Sequence, residues 1–202
     1  MKLLLALSLA TAVFATPALA QWAEQGDAGE LPATAQATVG AGALASISGS
    51  YVAGASDVDM YCITIVNPQA FLAATCGSTT VDTQLFLFRS TGLGVVCNDD
   101  FCGVQSTINA TLVGGQPAGS YLLAISAFNK DPISGGGLIF PNTFGGQNGP
   151  TGPGGGAAIT GWSGTHTGTG TYVITLAGTG YCTGATAVEP TTWGSIKSIY
   201  HR

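Results

Sequence analysis

In Val58-Asp59-Met60-Tyr61-Cys62-Ile63-Thr64-Ile65-Val66, an extended chain puts Tyr61, Ile63 and Ile65 on one face and Met60, Cys62 and Thr64 on the other. That period of two belongs to a β-strand. The same reading extends outward from it. Thr83 to Arg89 (Thr-Gln-Leu-Phe-Leu-Phe-Arg) is apolar on both faces and predicts a central strand. Gly119 to Phe128 alternates Tyr121, Leu123 and Ile125 with Leu122, Ala124 and Ser126, and Thr169 to Ala177 alternates Tyr172, Ile174 and Leu176 with Thr171, Val173 and Thr175. Leu44 to Ser48, Leu93 to Cys97 and Thr107 to Val113 are shorter candidates. Regular short strands separated by Gly-, Asn- and Pro-bearing turns predict an all-β chain, an antiparallel, jelly-roll-like β-sandwich.

Composition agrees. Of 202 residues, 31 are Gly and 9 are Pro, while charged residues make up 7%. Helical bundles, coiled coils and charge-rich tails need far more Lys, Arg and Glu than this. Five basic side chains against ten acidic ones also argue against nucleic acid as a partner, because phosphate binding requires clustered cations.

The chain divides into three parts. Lys2, the apolar run Leu3 to Phe14 and the small residues Ala18 and Ala20 read as a signal peptide over residues 1–20. Residues 21–187 then form one β domain, large enough to bury a single core. Within it, residues 135–157 carry ten Gly and three Pro, a composition that predicts a disordered or lid-like excursion in which Leu138-Ile139-Phe140 and Phe144 are the docking residues. Residues 188–202 form a tail in which Trp193, Ile196 and Tyr200 recur at helical spacing beside Lys197 and Arg202; it reads either as a sorting or docking segment or as a frayed terminus. No later apolar run approaches the ~18 residues of a membrane span.

Export makes the five cysteines disulfide candidates. If Asn67-Pro68-Gln69 turns Tyr61–Val66 back into Phe71–Cys76 as a hairpin, Cys62 faces Cys76. Cys97 and Cys102 flank Asn98-Asp99-Asp100-Phe101 and would close that turn, leaving Cys182 over. For catalysis, Gly161-Trp162-Ser163-Gly164-Thr165 matches a nucleophile elbow only in part, no catalytic base or acid stands at recognisable spacing from His166 in the sequence, and no Cys-x-x-Cys pair offers a zinc site.

Asp57-Val58-Asp59-Met60-Tyr61, Asp82-Thr83-Gln84-Leu85-Phe86-Leu87-Phe88, Asn98-Asp99-Asp100, Ala118-Gly119-Ser120-Tyr121-Leu122 and Gly170-Thr171-Tyr172-Val173-Ile174 follow one another in an order that resembles the bacterial pre-peptidase C-terminal domain. Gly26 to Pro32 and Asp131 to Pro153 are similar to stand-alone secreted proteins of that type, the DVUA family. The resemblance spans roughly residues 22–178 and implies an exported jelly-roll sandwich related to the collagen-binding domains of clostridial collagenases. In those domains calcium joins an amino-terminal linker to an Asp-rich loop, which maps onto Asp57 and Asp59 here and onto Asp27 and Glu30.

The carboxylates bear a metal reading on their own. Asp57, Asp59, Asp99 and Asp100 fall at loop ends and Glu24, Asp27 and Glu30 precede the first strand; neighbouring anions repel unless solvated or bridged by a hard cation such as calcium. The competing role for these residues is turn formation through their own backbone. The sequence thus predicts a non-catalytic structural or adhesive module at a cell surface. Calcium is its expected ion, a glycan or protein surface its expected partner, and Trp162 and Trp193 its candidate binding aromatics. A hydrolase, or an accessory to one, is the alternative.

Overall fold

The computed structural model describes residues 20–52, 57–143, 145–166 and 168–184. The predicted leader up to residue 19, Phe144, and the tail with Trp193 lie outside the described residues. The chain is mostly β. Along it run β1 (Ala20–Ala23), β2 (Gln36–Ala37), β3 (Val39–Gly40), β4 (Leu44–Tyr51), β5 (Val58–Ile65), β6 (Leu72–Ala74), β7 (Thr83–Arg89), β8 (Gly94–Asn98) and β9 (Thr107–Asn109). A single turn of helix, α1 (Ala110–Val113), precedes β10 (Gly119–Ala127), β11 (Lys130–Ser134), β12 (Gly137–Leu138) and β13 (Gln147–Asn148). Last come β14 (Gly161–Gly164), β15 (Gly170–Ala177), β16 (Thr179–Tyr181) and β17 (Thr183–Gly184).

One sheet has the order β13-β8-β7-β10-β5-β16, with β2 also on β5, and a second has the order β1-β4-β15-β6-β9. The sheets are mixed rather than purely antiparallel: β1 runs parallel to β4, β2 to β5 and β17 to β3. Long strands pair antiparallel; β1 and β2 are short segments laid in parallel along β4 and β5, and β3 and β17 are two-residue segments that pair with each other.

The two faces of the larger sheet have different neighbours. Tyr61, Ile63, Ile65, Leu85, Leu87, Leu123 and Ile125 join Leu44, Ile47, Tyr172 and Ile174 of the second sheet in one apolar layer. Met60, Phe86, Phe88, Cys97, Leu122 and Ala124 point the other way and meet Ile139, Phe140 and Ile159. β7 is therefore buried on both faces, as its unbroken apolar run requires. At about 1.5–3 kcal/mol for each fully buried large apolar side chain, both layers contribute substantially.

Of the two readings of residues 135–157, the disordered one gives way to the docked one: Ile139 and Phe140 are buried in the second layer. β11, β12 and β14 form a small sheet, and Phe140 packs its ring against Phe86 and Phe88 at 5.7 and 5.8 Å. Backbone bonds stitch the Gly-rich coil to itself, from Gly152 N to Ile139 O (3.0 Å) and from Gly154 N to Leu138 O (2.8 Å). Its glycines serve close approach: a Cβ on Gly155 would strike the Pro150 carbonyl.

Three local expectations also change. The candidate strand at 107–113 stops at Asn109, whose side chain accepts from Thr111 N and opens α1. Asn67-Pro68-Gln69-Ala70 does not make a hairpin. Asn67 Oδ1 accepts from Gln69 N, Pro68 starts a 3-10 turn, and the chain crosses from one sheet to the other, since β5 and β6 belong to different sheets. Cys62 and Cys76 consequently do not face each other. Cys62 bonds Cys182 (Cα–Cα 5.3 Å) and Cys76 bonds Cys102 (5.9 Å), while Cys97 is a buried free thiol. The β16–β5 register, Tyr181 opposite Ile63, carries Cys182 opposite Cys62 when extended by one residue. Two disulfides are consistent with an oxidising extracellular compartment. Among the described residues no helix is long and apolar enough to cross a membrane.

Candidate metal centre

Period two decides where Asp59 points. It shares a face with Tyr61 and Ile63, so it lies within β5 and turns into the layer between the sheets rather than at a loop end. It is 0% exposed. Tyr172 of β15 donates its hydroxyl to Asp59 Oδ2 (2.5 Å), and the Tyr61 and Tyr172 hydroxyls are 2.7 Å apart. Gly49 makes room for this pair, because a Cβ there would meet both hydroxyls.

The segment after β1 brings two more carboxylates. Glu24 N donates to Ser48 O (2.9 Å), and its carboxylate accepts from Ala28 N (2.9 Å) and Ser50 N (3.0 Å). Glu24, Asp27 and Asp59 thereby place one oxygen each within 4.8 Å of one another. Asp57 stands beside them, its Oδ2 accepting from Val52 N (2.6 Å). Asp59 Oδ1 is buried without a hydrogen-bond partner.

Burial, above all, pushes the Asp59 carboxyl up to about 9; the Tyr172 hydroxyl opposes this, and the Glu24 and Asp57 charges add to it. Asp57 is raised as well, first by burial and then by Asp27 and Glu24, against the Val52 N–H. The Tyr51 hydroxyl, buried without a partner, is raised by burial and by Asp59 and Asp57. Such a site holds either a proton or a cation. Its hard oxygen donors and orphaned carboxylate oxygen fit calcium.

Of the residues predicted for a metal, Asp27 and Asp59 meet here, with Asp57 beside them as an electrostatic neighbour. Glu30 does not: it is exposed, and its carbonyl accepts from Trp162 Nε1 (2.8 Å). Asp99 and Asp100 gather separately with Asp82. There burial, then Asp100, Asp82 and Asp131, lift Asp99 to about 7. Glu24, which the sequence offered among its amino-terminal carboxylates, is a full member of the first cluster, and Asp82 is a member of the second that sequence reasoning did not assign. Glu24 carried a signal in its spacing from Asp27; Asp82 carried none beyond preceding a strand.

Trp162 is half-buried, with its ring 5.5 Å from Phe86, so it is packed on the second apolar layer rather than standing free. The elbow-like residues are bonded elsewhere: Ser163 Oγ donates to Asp131 O (3.3 Å), and His166 Nε2 lies 2.6 Å from Asp57 O. The chain matches no family model, no curated protein and no solved structure.

Proposed function

We propose that the chain is an exported, non-catalytic module of jelly-roll type that serves as a structural or adhesive element at a cell surface, with calcium tying its amino-terminal segment to the sandwich. The observation that carries this reading is the meeting of Glu24 and Asp27 with Asp59, an inward strand residue with an unpartnered oxygen. The motif order that resembles the pre-peptidase C-terminal domain supports it. Phe101 and Phe128, 60% and 39% exposed, supply apolar contacts for a glycan or protein partner.

The test compares melting, and retention on immobilised glycans and matrix proteins, in calcium and in chelator. At a calcium concentration roughly a hundred times Kd, the melting temperature rises by about 5–10 °C. Superimposable melting curves would remove calcium from the reading, and absence of retention on every surface would remove adhesion.

A further inference from the structure

We propose that Asp82, Asp99 and Asp100 form a second calcium site, one that fastens the start of β7 to the loop leaving β8 and acts independently of the junction at Glu24, Asp27 and Asp59. One carboxylate oxygen from each lies within 4.8 Å of the others. The independent sign of a ligand is that Asp82 Oδ1, Asp99 Oδ1 and Asp100 Oδ1 are all shut off from solvent with no hydrogen-bond partner. Asp99 itself is only 6% exposed. Leaving a buried carboxylate uncompensated is costly, and placing others of the same sign beside it adds to the cost.

Nearby donors are turned to other acceptors. Asn98 Nδ2 donates to Asp100 O (3.2 Å) and Gly146 O (2.9 Å), and Ser106 Oγ bonds the carbonyls of Thr83 and Asp99. Gln84 Nε2 donates to Asp131 Oδ1 (3.1 Å). Their arrangement leaves the three aspartate oxygens to a cation.

The platform beneath them is fixed beforehand. The Cys76–Cys102 bond anchors the loop, Thr83 N donates to Val104 O (2.9 Å), and Phe101 N donates to Gln105 O (2.9 Å). Asp99 also lines a cavity of about 10 Å³ with Asp131, Gln84 and Asn98, room for about one water beside the cluster. All-oxygen, triply anionic donors suit calcium over zinc, whose sites are built mainly on histidine nitrogen and cysteine sulfur, and over magnesium, which demands near-ideal octahedral geometry.

Calcium titration by calorimetry, on protein purified with both disulfides intact, tests the inference. The parent binds two equivalents, Asp59→Asn retains one, and Asp82→Asn/Asp100→Asn retains one. A parent that binds one equivalent, lost in the double variant but kept in Asp59→Asn, supports this site while the junction reading falls. A double variant that binds as many equivalents as the parent overturns the inference. Should the double variant not fold, manganese titrated into ¹⁵N-labelled parent decides: amide signals of residues 82–84 and 98–104 broaden and recover with excess calcium. Unbroadened signals there overturn the inference equally.

Discussion

Asp59 sets two demands against each other: its place in the strand requires burial, and its carboxylate requires compensation. Folding raises its proton affinity, so between the unfolded value near 4 and the folded value of about 9 the native state holds a proton that the unfolded chain releases. Stability in chelator therefore falls as pH rises through that window, by up to about 1.4 kcal/mol per pH unit from this one group. Urea denaturation from pH 5 to 9 measures the slope. Asp59→Asn flattens it, and a variant with the parent slope would shift the effect to the other raised carboxyls. Asp59 reads as a loop-end residue beside Asp57, although its alternation with Tyr61 carries the inward direction that the structure shows. Glu24 and Asp27 were named among the amino-terminal carboxylates, but their route to Asp59 was not legible, because β1 pairs with β4 in parallel, an arrangement that no local pattern announces.

At the level of elements, the long strands were readable because both of their faces carry sequence: β5, β7, β10 and β15 begin and end within a residue or so of where periodicity put them. The docking residues Ile139 and Phe140 of the Gly-rich cover were legible but its order was not, because low complexity in a sequence does not separate a chain with nothing to pack from one whose backbone is itself the packing surface. Gly155 tells these apart. Gly155→Ala drives a methyl into the Pro150 carbonyl and lowers stability by about 1–3 kcal/mol. Gly149→Ala, at an open position, stays within about 0.5 kcal/mol of the parent. Equal melting temperatures for the two would return the segment to the status of a loose coil. The turn after β5 failed for a related reason: Asn-Pro-Gln marks a reversal, but whether the returning strand pairs in the same sheet or crosses to the other depends on which apolar faces remain to be covered.

For the molecule as a whole, the cysteines were legible as disulfide material and illegible as pairs, because both bonds join segments brought together only by the sheets. Cys62 and Cys182 are 120 residues apart, and Cys76 and Cys102 are 26 apart. On a loop-entropy basis, losing the first costs about 5 kcal/mol and losing the second about 3–4 kcal/mol. Serine pairs at each bond, compared by urea midpoint, test that order. Thiol titration of unreduced protein in denaturant finds one reactive group, Cys97, which in the native state is kept protonated by burial that raises it to about 12. Two or more reactive groups would mean that a bond is missing.

The longer bond has a topological corollary. Everything from residue 63 to residue 181, including the Asp82, Asp99 and Asp100 cluster but not the one at Glu24, Asp27 and Asp59, lies inside one covalent ring. A peptide cut anywhere along that arc opens the ring without releasing either half. A nicked molecule therefore keeps its full mass until reductant is added.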